Sequence, residues 1–394
     1  MAPTEILATQ HYNEISSLFA PLGIKTELIT GSLTATKKQK IYSALENGEI
    51  DVLIGTHALI SDGVSFARLG LIITDEQHRF GVRQRAVLKN RSTAAHMLVM
   101  SATPIPRTLA LTMYGDLDTS RITEMPKGRT KVDTFVVNEE YRIRLNDFIR
   151  KQVMNGGQCY VICPAIERSE ESNEYISTSL TDGLTEERGL NLKYVTEHTE
   201  QLKKALPDIE IRALHGKMKA SEKAEIMDDF ASGKTKVLVS TTVIEVGVNV
   251  PNASLMIIEN AERFGLSQLH QLRGRVGRGS RKSYCVLVSD STSEKAQARL
   301  GVIKSTHDGF EIAEKDLVLR GPGDFFSSYS DENMRQSGGF EFKIAGICDD
   351  NSLIDSAFSA AKQIIANDPK LEKNTNLLLR EEVEHVFSQT STIS

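Results

Sequence analysis

Two acids and two arginines carry the chemistry of this chain. Asp75 and Glu76 open the tetrapeptide Asp75-Glu76-Gln77-His78 at the end of an apolar run. Far downstream, Arg275 and Arg278 stand among Gly274, Gly277 and Gly279, shortly after Gln271. A strand that ends in paired carboxylates places them where open α/β sheets bind ligands. There one carboxylate can hold Mg²⁺ through its waters and another can orient an attacking water, as ATP hydrolysis requires. Asp75 suits the first role and Glu76 the second; two solvated acids after a strand are the bland alternative. Arginines spaced like Arg275 and Arg278 suit the charge that develops on a transferring phosphoryl group. Together the motifs describe a nucleotide hydrolase whose site is split between two domains.

The elements that must position these groups follow from the rest of the chain. Its 394 residues suffice for two or three domains with sizeable cores. No apolar run approaches the ~20 residues of a membrane helix, and the first residues lack the basic and apolar regions of a secretory signal. Cys159, Cys163, Cys285 and Cys348 are too few for a disulfide framework and imply a reducing, cytoplasmic setting. Cys159 and Cys163 resemble half a metal site, but their surroundings read as a buried strand and no second Cys/His pair accompanies them. The net charge of −5 announces no polyanion partner. Locally, Arg263, Arg273, Arg275, Arg278, Arg281 and Lys282 form an acid-free run whose glycines favour a phosphate-facing loop.

Short apolar runs alternate with amphipathic stretches, the pattern of parallel sheets flanked by helices. Strands are expected at 52–55, 69–74 and 96–100, and in a second series at 131–137, 159–163, 209–214, 236–240, 254–258 and 284–288. Helices are expected at 36–46, 141–154, 198–206 and 221–230, the last starting at Ser221. The Pro/Gly-containing stretch 125–130 reads as a linker, and 168–189 as a surface insertion. Beyond residue 289 the pattern turns helical, with helices at 293–306 and 352–388. No repeat is apparent beyond the likeness of the two lobes. Ser101 and Thr103 follow one strand and either link the carboxylates to the neighbouring lobe or simply cap an element.

In order, these motifs resemble those of superfamily-two helicases: Pro3-Thr4-Glu5-Ile6-Leu7, Gly55-Thr56-His57, Asp75 to His78, Ser101-Ala102-Thr103, the stretch 241–252, and Gln271 to Arg278. Within that group the chain is similar to the RecG family of bacterial helicases. Residues 75–82, 101–108 and 250–260 carry the likeness, as do Leu319-Arg320-Gly321-Pro322-Gly323 and Arg335-Gln336-Ser337-Gly338. The resemblance implies two RecA-like parallel-sheet lobes, the first incomplete, at 1–128 and 129–292, and a mainly helical translocation segment at 293–394. It implies a monomeric ATP- and Mg²⁺-dependent motor acting on branched DNA, with no membrane association. Gln77, His78, Ser101, Thr103, Gly247, Asn249 and Gln271 would bind nucleotide or couple its hydrolysis. Pro3, Thr4, Thr56, His57 and Thr241 would track the DNA backbone, work that needs no base readout. Arg320, Arg335 and Gln336 would couple hydrolysis to translocation.

The chain departs from the family pattern in three places. Asn249 stands where an Asp is usual, the stretch 324–334 is longer, and the chain begins downstream of the expected phosphate-binding loop. Gly233-Lys234-Thr235 is no substitute, because Asp228 replaces the first glycine and the strand–helix order is reversed. The expected polypeptide is a fragment of a helicase. A non-catalytic DNA-binding remnant and one half of a split motor are the rival readings.

Overall fold

The computed structural model describes residues 1–61, 63–76, 95–102, 119–124, 130–165, 193–241, 250–320 and 351–391, without the side chains of 220, 320, 351–355 and 386–391. Residues 125–129 of the expected linker 125–130, the insertion at 168–189, Cys348, and Gln77, His78, Thr103, Gly247, Asn249, Arg335 and Gln336 lie outside these residues, as does the side chain of Arg320.

The first lobe is built from α1 (Glu5–Phe19), β1 (Thr26–Ile29), α2 (Ala35–Glu46), β2 (Val52–Gly55), β3 (Leu71–Thr74) and β4 (His96–Val99). β1 pairs with β2 and β3 with β4, both in parallel, giving two separate two-stranded ladders. The first two residues join them. Met1 donates to Ile73 O at 2.7 Å and accepts from Asp75 N–H at 3.0 Å, while Ala2 donates to Gly55 O at 2.9 Å. The two residues thus bridge β2 and β3 through backbone hydrogen bonds of the parallel pattern. α1 rests on this arrangement through Ala8, which packs in one cluster with Ala2 and Ile54. On one face of the other ladder, Leu71, Ile73 and Leu98 are exposed.

The second lobe is a six-stranded parallel sheet in the order β5-β10-β9-β6-β8-β7. Its strands are β5 (Val132–Val137), β6 (Gln158–Ile162), β7 (Ile211–Leu214), β8 (Val237–Ser240), β9 (Ala253–Ile258) and β10 (Ser283–Val288). Side chains alternate between faces apart from a register shift beside Gln158 and Ala253, and the inner strands β10, β9, β6 and β8 are buried on both faces, so they read as continuous apolar runs. Tyr160, Ile162, Leu238, Met256, Ile258 and Leu287 meet α5 (Ala220–Ala231), α6 (Leu266–Arg273), α7 (Glu294–Ser305) and α8 (Gly309–Arg320). Cys159, Val161, Val239, Leu255, Ile257 and Val286 meet α3 (Arg142–Met154) and α4 (Val195–Ala205). Cys159 and Cys163 are therefore core residues, their thiols raised by burial, and no metal-binding cluster occurs among the described residues.

The likeness of the lobes runs deeper than the sequence pattern suggested. Residues 26–56 superpose on 211–241 in sequence without a gap, matching Gly31 to Gly216, Lys38 to Lys223, Gly48 to Gly233 and Thr56 to Thr241. The structural details repeat as well. Lys38 Nζ donates to Gly31 O at 2.9 Å, and Lys223 Nζ to Gly216 O at 2.8 Å. Gly48 and Gly233 both end a helix at positive φ, 72° and 81°.

Several expected boundaries shift. α4 begins at Val195, three residues before the expected 198, and α5 begins at Ala220 behind Lys219, so Ser221 lies inside the helix and does not cap it. β1 and α1 went unread. The expected helix at 352–388 divides into α9 (Asn351–Asn367) and α10 (Leu377–Ser391). Asp368 ends the first by accepting the amides of Glu372 and Lys373 and the side chain of Asn376.

Candidate active site

Asp75 follows β3 directly, and both its oxygens are engaged. Oδ1 accepts the Glu76 amide at 2.9 Å, and Oδ2 lies 2.9 Å from His11 Nε2 on α1. The His11 hydrogen bond holds the Asp75 carboxyl below the usual carboxylate range, against the opposing effect of partial burial. An ionised, hard-oxygen donor at a strand end fits Mg²⁺ held through water. Glu76 takes φ of 50°, left-handed for a residue with a Cβ, at a cost of roughly 1 kcal/mol or more. The chain thus turns sharply at the second acid. Ser101 lies just past β4, whose neighbour Met100 donates to Thr74 O at 2.8 Å, so it stands at the next strand end.

Of the residues expected to track DNA, Pro3, Thr4, Thr56 and His57 gather at neighbouring strand ends of the first lobe. Thr4 is the N-cap of α1, with its hydroxyl accepting from Leu7 N–H at 3.4 Å. Glu5 in the first turn accepts the Ser32 amide at 3.0 Å and so ties α1 to the loop before α2. The Ala2–Gly55 bond brings Pro3 beside Thr56. His57 is exposed, whereas Thr56 is buried. Thr241, the counterpart of Thr56, follows β8 and is also buried.

In the second lobe the arginines divide by role. Arg273 on α6 is 3% exposed and has turned inward. Its guanidinium donates to Ile303 O at 2.7 Å and Thr306 O at 2.9 Å, capping the last carbonyls of α7. Arg275 is half-buried and Arg278 exposed, in the turn after α6; Gln271 lies half-buried on the helix itself. Both lie close enough to the buried Tyr160 phenol to pull its pKa down, though burial still pushes it up to about 12. The glycines beside them answer to backbone geometry. Gly277 has φ of 77°, and a Cβ there would stand 2.9 Å from Val132 Cγ2. At Gly279 a Cβ would collide with Pro251 O. They bend the arginine turn against the neighbouring chain at Val132 and Pro251.

A charged cluster at the C-terminal end of β9 escaped the sequence reading. Glu259, 1% exposed, accepts two hydrogen bonds from Arg142, at 2.7 and 2.6 Å, and lies 3.2 Å from His198 Nε2. Arg142 also grips Glu139, which Lys193 Nζ contacts at 3.0 Å. Burial would raise the Glu259 carboxyl; its Arg142 bonds and the His198 imidazole outweigh that and hold it at about 2. A Glu-Asn pair closing the apolar run 253–258 was the available signal, the same signal that marks Asp75. His11 had none, because its partner is 64 residues away.

Comparison with known proteins matches three family models along the chain. They are DEAD/DEAH box helicase at residues 1–112, helicase conserved C-terminal domain at 142–280, and ATP-dependent DNA helicase RecG, domain 3, C-terminal, at 306–391. The ATP-dependent DNA helicase RecG of Synechocystis sp. is 48% identical over 381 residues, 96% of this chain and 43% of that protein. That of Bacillus subtilis is 43% identical, covering 97% of this chain and 53% of the relative. A solved structure of RecG bound to a three-way DNA junction is 42% identical with a TM-score of 0.65, over 90% of this chain and 43% of that one. Saccharomyces cerevisiae Dbp5 bound to RNA and ADP BeF3 shares only the fold, at 16% identity and a TM-score of 0.54, over 81% of this chain and 79% of Dbp5. Both lobes are accordingly RecA-like. The chain spans about half the length of the curated relatives it matches, and it belongs to the RecG family of superfamily-two helicases.

Proposed function

We propose that this chain is the motor portion of an ATP-dependent helicase that remodels branched DNA, working in the cytoplasm as a monomer. Its lobes would be 1–128 and 129–292, with 293–394 as the translocation segment. The observation that carries the reading is the Asp75 carboxylate, ionised and fixed through both oxygens at a strand end.

Mg²⁺, when bound, would neutralise charge on the β- and γ-phosphates of ATP. Asp75 would hold it through water, and Glu76 would orient the attacking water. Arg275 and Arg278 would meet the γ-phosphate and stabilise its developing charge. Gln77, His78, Ser101, Thr103, Gly247, Asn249 and Gln271 would line the nucleotide or report its state. Pro3, Thr4, Thr56, His57 and Thr241 would bear on the sugar-phosphate backbone, and Arg320, Arg335 and Gln336 would turn hydrolysis into movement. No Gly-x-x-x-x-Gly-Lys sequence occurs in the 394 residues, so the grip on the β-phosphate must come from elsewhere.

The test joins the preceding half of the Synechocystis relative ahead of Met1. DNA-stimulated ATPase and fork unwinding that vanish in Glu76→Gln are expected. Hydrolysis unaffected by Glu76→Gln would overturn the assignment.

A further inference from the structure

We infer that His11 is a positioning residue for Asp75, and that α1 links it rigidly to Thr4 at the DNA-facing end of the same helix. The inference rests on the proposed function, in which Asp75 is the magnesium-facing carboxylate and Thr4 faces DNA.

A carboxylate that holds a metal through water must present its remaining lone pairs in one orientation, and side-chain partners usually fix that orientation. Asp75 has two such partners. The Glu76 amide is on its own chain segment and moves with it. His11 is not; it reaches Oδ2 at 2.9 Å from a different element. Anything that shifts α1 therefore rotates the carboxylate relative to its own backbone.

α1 is built to transmit such a shift. Thr4, Ala8 and His11 fall four and three residues apart, on one face of the helix. Ala8, fully buried, seats that face on the sheet beside Ile54. Thr4 caps the near end, and Glu5 pins that end to the Ser32 amide. Seven residues of helix span only about 10 Å, too short and too well hydrogen-bonded to flex much between the two ends. A phosphate drawn to Thr4 and the first-turn amides would move His11 as one body with them. DNA contact would then adjust the carboxylate on which magnesium depends.

The plain alternative is a partly exposed hydrogen bond, with side chains 29% and 22% exposed, that merely helps to fasten α1. Such a pair changes stability a little and chemistry not at all.

Two measurements separate these. In the chain itself, the His11 ring nitrogens are followed by NMR. Asp75→Asn should shift their resonances. Three-way junction DNA should shift them in the wild type, and the shift should disappear in Thr4→Val. In the motor completed with the Synechocystis half, His11→Ala should raise the half-saturating Mg²⁺ concentration about tenfold and cut DNA stimulation of kcat about tenfold. DNA affinity and melting temperature should hold, and His11→Gln, which keeps a donor, should restore most of the loss. An unchanged Mg²⁺ requirement, or equal loss with and without DNA, overturns the inference. So do ring resonances that ignore junction DNA bound at unchanged affinity. If the wild-type completed motor hydrolyses no ATP, the functional reading itself fails, an outcome distinguishable from failure of His11 alone.

Discussion

Arg142 and Glu259 stand 117 residues apart in sequence, yet they meet through paired hydrogen bonds of 2.7 and 2.6 Å at the end of β9. Breaking one side strands a charge where water cannot reach it. Arg142→Ala should cost roughly 3–5 kcal/mol, read from urea unfolding. The same pair sets an acid limit. The folded Glu259 carboxyl titrates at about 2 against an ordinary 4.5. Its contribution, roughly 3 kcal/mol, is complete above about pH 4.5 and fades as pH falls toward 2. Arg142→Ala should flatten that acid-side dependence; a profile unchanged from wild type would show that other carboxylates set it.

Gly277→Ala should destabilise the second lobe by about 1–2 kcal/mol through its left-handed φ alone, with more added by the contact of the new Cβ with Val132. Thermal unfolding measures it. A neutral Gly277→Ala would mean the turn can relax, and the glycines would need another explanation.

Arg275→Ala and Arg278→Ala, in the completed motor, should each lower kcat about 10³-fold while sparing DNA affinity. Weakened DNA binding with intact turnover would reassign both to the phosphate backbone. Arg273→Ala should behave differently from either. It leaves Ile303 O and Thr306 O without their buried donor, so stability should fall by roughly 2–4 kcal/mol.

The 394-residue chain alone should show little ATPase activity with or without fork DNA, because its sequence holds no Gly-x-x-x-x-Gly-Lys phosphate loop. Steady-state hydrolysis by the purified chain, abolished by Glu76→Gln, would refute this.

The second-lobe strands were readable because both their faces are buried. Val237-Leu238-Val239 and Leu255-Met256-Ile257-Ile258 are unbroken apolar runs that only a covered parallel strand tolerates. The placement of Asp75 just past a strand and of Arg275 and Arg278 in a glycine-broken loop was readable because an apolar run and three glycines mark those boundaries. β1 hid because Thr26-Glu27-Leu28-Ile29 is short and half-exposed, and its hydrophobic signal is diluted accordingly. The start of α5 hid because Lys219 caps it with backbone alone. His11 and Arg142 could not be found locally. Their meaning comes from Asp75 and Glu259, which only folding brings to them.

The gapless match of residues 26–56 with 211–241 turns the molecule into its own control. Lys38 and Lys223 make the same bond to the same glycine carbonyl, so their retention needs no ligand to account for it. Ser32 and Thr34, by contrast, face Lys217 and Lys219 across the duplication, hydroxyls in one copy and ammonium groups in the other. The shared lysine–glycine bond is owed to architecture, and the unshared hydroxyls and ammonium groups mark where the two copies diverge. Matched substitutions at such twin positions would let one half of the chain serve as the reference for the other.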